Sequence, residues 1–203
     1  MHVDELKLAD LCENFSRLIT FWHTDPADYA QARGELHPTA MELAWRNYSL
    51  WHEEDKARRT DVDDAMIAQV KRNIDRFNQQ RNDLIERLDE TILAWLEPQC
   101  DFGEHLPINS ETPGSIVDRI CIMSLKVHHM REDAERDDID EAHRQRSLQK
   151  LATLREQRAD LEQALQRLLD DYLAGAKRMK LYRQFKMYND PTLNPELYRQ
   201  ATA

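Results

Sequence analysis

The chain predicts an all-α fold: an antiparallel bundle of about four to six helices, several of them long. Three observations carry the prediction. Apolar residues recur at helical spacing through most of the 203 residues. Helix-start signatures, a Ser, Thr, Asp or Asn just ahead of such a run, recur at its breaks. Turn material is scarce, with 4 glycines and 7 prolines, and no long alternating run of β-branched residues occurs. A chain of this length can bury a full core as one unit, so residues 1–203 are read as a single helical domain.

The elements follow in order. A first helix is expected from about Asp4 to Trp22, with Leu8, Leu11, Phe15, Leu18 and Trp22 on one face. Asp25-Pro26 opens a short helix that Gly34 closes, completing an N-terminal portion over 1–37. Thr39-x-x-Glu42 has the form of a capping box and starts a helix of about twenty residues. Its inner stripe is Met41, Trp45, Tyr48 and Trp51 or His52. Asp61-x-x-Asp64 begins the next helix, which runs to Trp95 and stops at Pro98, so two bundle helices fill 39–97. Its seam runs from Ile67 to Trp95 at coiled-coil-like spacing, and Arg81 interrupts it. Beside the seam lies a polar row: Lys71, Asp75, Asn78, Asn82, Glu86 and Asp89. On a solvated face Lys, Glu and Gln are better helix formers than Asn. The two asparagines therefore favour directed hydrogen bonding in a half-buried site, although a plain solvated face accounts for any one member.

Residues 98–109 read as a loop, and two further bundle helices fill 110–175. The first has Thr112 as N-cap and Pro113 as first helical residue, then Gly114 and Ser115. Such an end, with its free N–H groups and positive dipole, is a ready anion site. Behind it comes an almost continuous apolar run from Ile116 to Val127, the mark of a helix buried on nearly every side. Asp118, Arg119 and Lys126 sit inside that run, and charges on a core helix are costly unless paired or liganded. A polar pocket inside the bundle is expected there. Arg131 to Arg146, with seven acids and four arginines, reads as an exposed corner. The last long helix spans about Asp140 to Ala174, with a leucine seam that Arg158 interrupts, and Gly175 caps it. Arg81 and Arg158 either pair with Asp118, Asp75 or Asp160, or sit at the rim with only their stems buried. The tail, 176–203, interleaves basic and aromatic residues and is expected to pack back over the acidic bundle. Asn194-Pro195 caps a final short helix within it.

Composition excludes several functions. A net charge of −10 argues against general nucleic-acid binding, which needs a basic face. No apolar run approaches the roughly 18 residues of a membrane span. Met1 to Trp22 is amphipathic rather than a signal segment. A cytoplasmic protein without membrane association is expected. Cys12, Cys100 and Cys121 share no metal spacing and read as reduced packing residues. Glycine-rich phosphate loops and the common hydrolase and metalloprotease motifs are missing.

The remaining chemistry lies in Trp51-His52-Glu53-Glu54-Asp55-Lys56-Ala57-Arg58. His52 and Asp55 are helical neighbours, as are Glu54 and Arg58. His52, Glu54 and Asp55 are the candidate acid/base or hydroxyl-reading groups. His52-x-x-Asp55 occurs once with no second copy, which argues against a dinuclear centre. A hydrogen-bonded core histidine and surface salt bridges account for the same residues equally well.

Four segments carry a family resemblance. They are Leu50-Trp51-His52-x-Glu54-Asp55-x-Ala57-Arg58; Lys71-Arg72-x-Ile74-Asp75-x-x-Asn78-x-x-Arg81-Asn82-Asp83; Ser110-Glu111-Thr112-Pro113-Gly114-Ser115-x-x-Asp118-Arg119; and Tyr182-Arg183-Gln184-Phe185-Lys186-Met187-Tyr188-Asn189-Asp190-Pro191. The chain resembles the bacterial domain-of-unknown-function family 4254, over roughly Asn47 to Tyr198. Cys121 stands where that pattern has serine, a packing position. The resemblance implies a cytosolic bacterial protein, with a loose link to cell-surface polysaccharide metabolism, and supplies no catalytic residues and no cofactor.

The leading reading is a site for an anionic small molecule, a sugar phosphate or nucleotide sugar, inside the bundle. Thr112, Gly114 and Ser115 would hold the anion, with Arg58, Arg81, Arg119, Lys126, Arg183 and Lys186 around it. Asp75, Asn78, Asn82 and Asp118 would complete the polar wall. No metal ligand set is assigned from spacing, and turnover is left open. Two alternatives stand. One is a helical adaptor, a homodimer or the partner of a glycosyltransferase-type protein. The other is a mononuclear metal protein built on His52, Asp55 and a carboxylate of the third long helix.

Overall fold

In a computed structural model describing Leu6 and residues 8–25, 36–187 and 190–199, the helices are α1 (Leu11–Thr24), α2 (Pro38–Lys56), α3 (Asp64–Leu96), α4 (Pro113–Glu135), α5 (Glu141–Leu173) and α6 (Pro195–Tyr198). Among the described residues there is no strand, only one isolated bridge between Ile108 and Arg178. The chain is an all-α bundle, as its periodicity predicts.

Local chemistry sets the helix ends. Asp63 accepts from the Met66 N–H at 2.8 Å, Asp140 from His143 at 2.7 Å and Thr112 Oγ1 from Ser115 at 3.3 Å. Asn194 caps the short α6 by accepting from Glu196. Gly175, at φ 65, closes α5 in the left-handed conformation that glycine adopts without strain.

Three starts differ from expectation. α1 begins at Leu11, because Asp10 is itself left-handed at φ 49 and breaks the helix upstream. α2 begins at Pro38, whose missing N–H suits the first turn; His37 is its cap, accepting from Thr39 at 3.2 Å, so Thr39-x-x-Glu42 is not a capping box. Asp61 does not cap α3 but is held by Arg59. The short helix expected between Asp25-Pro26 and Gly34 lies outside the described residues.

α4 is the central element, packing against α1, α2, α3 and α5. Val117, Ile120, Cys121 and Leu125 are buried there with Phe15, Trp22, Leu43, Leu88 and Leu168 from its neighbours. Its burial is not all-round, however. Arg119 and Lys126 lie on an exposed strip, and of the three charges in the run only Asp118 points inward. The arginine that interrupts the α5 seam meets none of the expected acids. Arg158 Nη1 donates to Ser16 Oγ at 2.7 Å and to the Cys12 carbonyl at 3.3 Å, tying α5 to α1.

Two polar contacts fix how α3 lies on α4. Arg81 donates to Asp118 through Nε at 2.8 Å and Nη2 at 2.6 Å. Asn47 of α2 donates to the same carboxylate at 2.8 Å. One turn earlier on α4, the Gly114 N–H donates to Asp89 Oδ1 at 2.7 Å. A Cβ on residue 114 would fall 2.7 Å from the Ile85 carbonyl oxygen, so only glycine allows this approach. Burial is the main reason the Asp89 carboxyl is pushed up to about 6, with the Glu86 charge adding to it; the hydrogen bonds from Thr112 and Gly114 pull the other way. The tail crosses α3, where Arg183 pairs with Glu86 at 3.0 Å and Glu90 at 2.6 Å, and Leu181 packs on the core.

Two predictions follow from these contacts. Asp118→Ala strips both partners of a buried carboxylate and should cost about 3–5 kcal/mol in urea unfolding. The double variant Arg81→Met, Asp118→Leu should recover most of that loss, because the penalty is an unpaired charge and not a lost fold. Asp89 has a folded pKa above its ordinary value, so its contribution is full below about pH 4 and is lost as pH rises through about 6. Asp89→Asn keeps an oxygen for the Gly114 N–H but cannot ionise. Between pH 4 and pH 7 its stability relative to the native chain should rise by about 2 kcal/mol. A difference that stays flat with pH would show that Asp89 titrates normally.

Candidate functional site

The inward faces of α2, α3 and α4 leave a cavity of about 300 Å³, lined by Asn47, Leu50, Trp51, Glu54, Asp55, Arg58, Arg81, Ile122 and Leu125. Residues 47, 50, 51 and 54 follow the three-to-four spacing of one helix face, so α2 supplies most of the wall, with Arg58 just beyond its end. Arg81 is immobilised there by Asp118, and its Nη1 also lies 3.4 Å from Asn78 Oδ1. Hydrogen bonds to Asp118 raise the Arg81 pKa further, so its charge is permanent. Lys186 of the tail lies close enough to Arg81 to feel it: burial first, then the Arg81 charge, lowers the Lys186 ammonium pKa. Arg58 differs from Arg81. It lies just past the end of α2, and its side chain is 70% exposed and pairs with Glu54 at 3.0 Å.

The other predicted residues lie elsewhere. The N–H groups at the start of α4 are already occupied, Gly114 by Asp89 and Ser115 by Thr112. The anion expected at Thr112, Gly114 and Ser115 is therefore the protein's own carboxylate. Arg119 and Lys126 line a separate groove of about 670 Å³ on the α5 side of α4, with Glu111, Gln157 and Asp160. Arg119 pairs there with Glu111. Asp75 pairs with Lys71 on the surface of α3, Arg183 is held by Glu86 and Glu90, and Asn82 is half-buried but lines neither cavity. Of the predicted set, Glu54, Asp55, Arg58, Arg81 and Asp118 converge, with Asn78 and Lys186 beside them.

A second cluster adjoins this cavity. His23 at the end of α1, His52 on α2, and His128 and His129 on α4 meet with their rings 4.2 to 5.8 Å apart. Trp51 stacks on His129 at 4.8 Å and 11°, so one ring belongs to the cavity wall and to the cluster. The Nε2 atoms of all four histidines are buried without a hydrogen-bond partner. Burial, then the neighbouring His23 and His129, lowers the His52 pKa. His128 is lowered to about 4 by burial and by His23. Both rings are therefore neutral at ordinary pH. Asp55, expected beside His52, lines the cavity while its charge still reaches the His52 ring. Periodicity did not point to His23, His128 or His129. The local signal was the pair His128-His129 followed by Glu132, which puts a carboxylate one helical turn beyond both.

Comparison with known proteins adds the family and nothing on activity. No curated protein and no solved structure matches the chain. A family model described as "Protein of unknown function (DUF4254)" matches residues 37–181, which span both the cavity and all of the histidine cluster except His23. The chain belongs to the DUF4254 family.

Proposed function

We propose that the protein binds an anionic small molecule of the sugar-phosphate class in the cavity between α2, α3 and α4. The observation that supports this is the composition of that one wall: a flat ring, two carboxylates and two arginines on a cavity of about 300 Å³. Trp51 offers an apolar face to a sugar ring, and Glu54 and Asp55 accept from hydroxyls. Arg81 is neutralised by Asp118, so Arg58 is the phosphate contact. Its pair with Glu54 is exposed and worth only about 0–1 kcal/mol, so a phosphate displaces Glu54 at little cost and gains a bidentate partner. Volume chooses within the class. The cavity lies at the lower bound of roughly 300–1,000 Å³ for ligand pockets, which suits a hexose phosphate better than a whole nucleotide sugar. This reading carries with it a cytoplasmic protein and the link to cell-surface polysaccharide metabolism that the family resemblance implies.

Calorimetry with hexose phosphates tests it. Arg58→Ala and Trp51→Ala should each weaken binding about tenfold or more, a loss of about 1.4 kcal/mol. Lys126→Ala, in the other groove, should leave it unchanged. Binding lost in Lys126→Ala and kept in Arg58→Ala would move the site to the α4–α5 groove and sink the assignment.

One observation favours a second reading, a helical adaptor without catalysis. The tail exposes Tyr182, Phe185, Met187, Leu193, Leu197 and Tyr198, an apolar set that suits a second copy or a glycosyltransferase-type partner. Light scattering tests its homodimer form: the native chain should be a dimer and Phe185→Ser, Leu193→Ser a monomer. A native monomer removes that form.

A further inference from the structure

Beyond the sugar-phosphate reading, and independently of it, we propose that His23, His52 and His129 form a three-nitrogen site for a divalent transition-metal ion, Zn²⁺ by the chemistry of its donors. One ring nitrogen from each lies within 4.8 Å of the other two. A second set, His23, His128 and Glu132, meets the same distance limit. Hydrogen bonding decides between them. His23 Nδ1 lies 2.7 Å from the Ile19 carbonyl oxygen, which only accepts. Nδ1 therefore carries the proton, and the lone pair is on Nε2. His129 Nδ1 lies 2.8 Å from Glu132 Oε2, which fixes the same tautomer. His128 is turned the other way. Its Nδ1 accepts from Arg131 Nη2 at 3.2 Å, so its Nε2 carries the proton and faces Glu132 Oε1 at 3.4 Å. His128 thus turns no lone pair toward Glu132, whereas Glu132 accepts from His129 Nδ1 and orients that ring, the carboxylate–histidine arrangement that supports metal ligands.

The three ligand rings stand at 66°, 71° and 85° to one another, whereas His23 and His128 stack at 25°. Edge-to-face contacts of this kind are ordinary ring packing; the convergence of unpaired nitrogens is what points to an ion. The Nε2 atoms of all three are buried with no partner. A buried polar nitrogen left unpaired is unfavourable, and one ion satisfies all three. Zn–N bonds of about 2.0–2.1 Å bring the nitrogens to roughly 3.3 Å apart, which small ring rotations supply. Imidazole selects Zn²⁺, Cu²⁺, Ni²⁺ or Co²⁺ over Mg²⁺ and Ca²⁺. Three protein ligands leave a fourth position, filled by water, as in catalytic rather than structural zinc sites.

The test uses full-length untagged protein, stripped with a chelator and titrated with Zn²⁺ against a chromophoric chelator and with Co²⁺ by visible absorption. The expected result is one ion per chain, a Co²⁺ spectrum of tetrahedral or five-coordinate intensity, and a rise in melting temperature with Zn²⁺. His52→Gln and His129→Gln should each weaken Zn²⁺ binding about a hundredfold or more. Glu132→Gln, which touches only the orienting contact, should weaken it about 10–100-fold. His105→Gln, on the exposed 97–112 loop, should leave it unchanged. Circular dichroism and melting of each variant without metal separate a lost ligand from a lost fold, and Glu132→Gln on a surface carboxylate keeps the test open if a ligand variant does not fold. Failure of the native chain to take up Zn²⁺ or Co²⁺ at micromolar concentration overturns the proposal. Equal binding by His129→Gln together with loss in His128→Gln overturns this ligand set.

Discussion

A single buried carboxylate sets the arrangement of the bundle. Asp118 accepts from Asn47 of α2 and, twice, from Arg81 of α3, while it rides on α4. Three helices therefore converge on two oxygen atoms. The Asp89–Gly114 contact repeats the constraint further along, and the pair fixes register as well as proximity. Sliding α3 by one turn would strand both an arginine and an aspartate in the core. Unpaired buried charge is far more costly than a displaced leucine, so the seam of α3 has one setting. The cavity is a consequence. Asn47 and Arg81 belong at once to the knot and to its wall.

Most of the fold is legible in the sequence because its signals are local. Thr112, Asp140, Asn194 and Gly175 act within three or four residues of themselves, and these caps stand where a reading of neighbours puts them. Asp63 acts as locally, although Asp61 is the start that the sequence suggests for α3. The misreadings at α1 and α2 are local too: a left-handed Asp10 has no reliable sequence mark, and Pro38 outranks Thr39 only because its ring suits the first turn. The site is legible only in part. Arg81 and Asp118 are conspicuous as charges among apolar residues, and a buried charge advertises its need for a partner. Which partner is a tertiary fact. Arg158 shows the same anomaly and finds backbone and hydroxyl oxygens instead of an acid. Arg119 and Lys126 looked inward only because the apolar run of α4 is long enough to hide a narrow exposed strip.

The start of α4 shows how a correct local inference can mislead. The free N–H groups and the glycine are real features of a helix end that attracts an anion. Here the attracted anion is Asp89, one face of α3 away and distant in sequence. Gly114 serves close helix packing rather than ligand access, since its missing side chain is the space that the Ile85 carbonyl and Asp89 fill. An unoccupied helix end and an internally satisfied one have the same local sequence, and only the crossing of α3 over α4 separates them.

The histidines mark the opposite limit. His23, His52 and His129 come from α1, α2 and α4, and nothing in the spacing of one helix brings them together. Their meeting follows from α1 and α2 both running alongside α4, so that their C-terminal ends reach the same level of the bundle. Residues 51 and 52 then divide between two environments, because successive helical residues point about 100° apart. His52 turns to the histidine cluster, while Trp51 packs one face on His129 and closes the cavity. The two sites share that indole as a common wall. Whatever holds the His129 ring in place also holds the surface on which a molecule in the cavity must rest, and a change at residue 51 is felt on both sides of it.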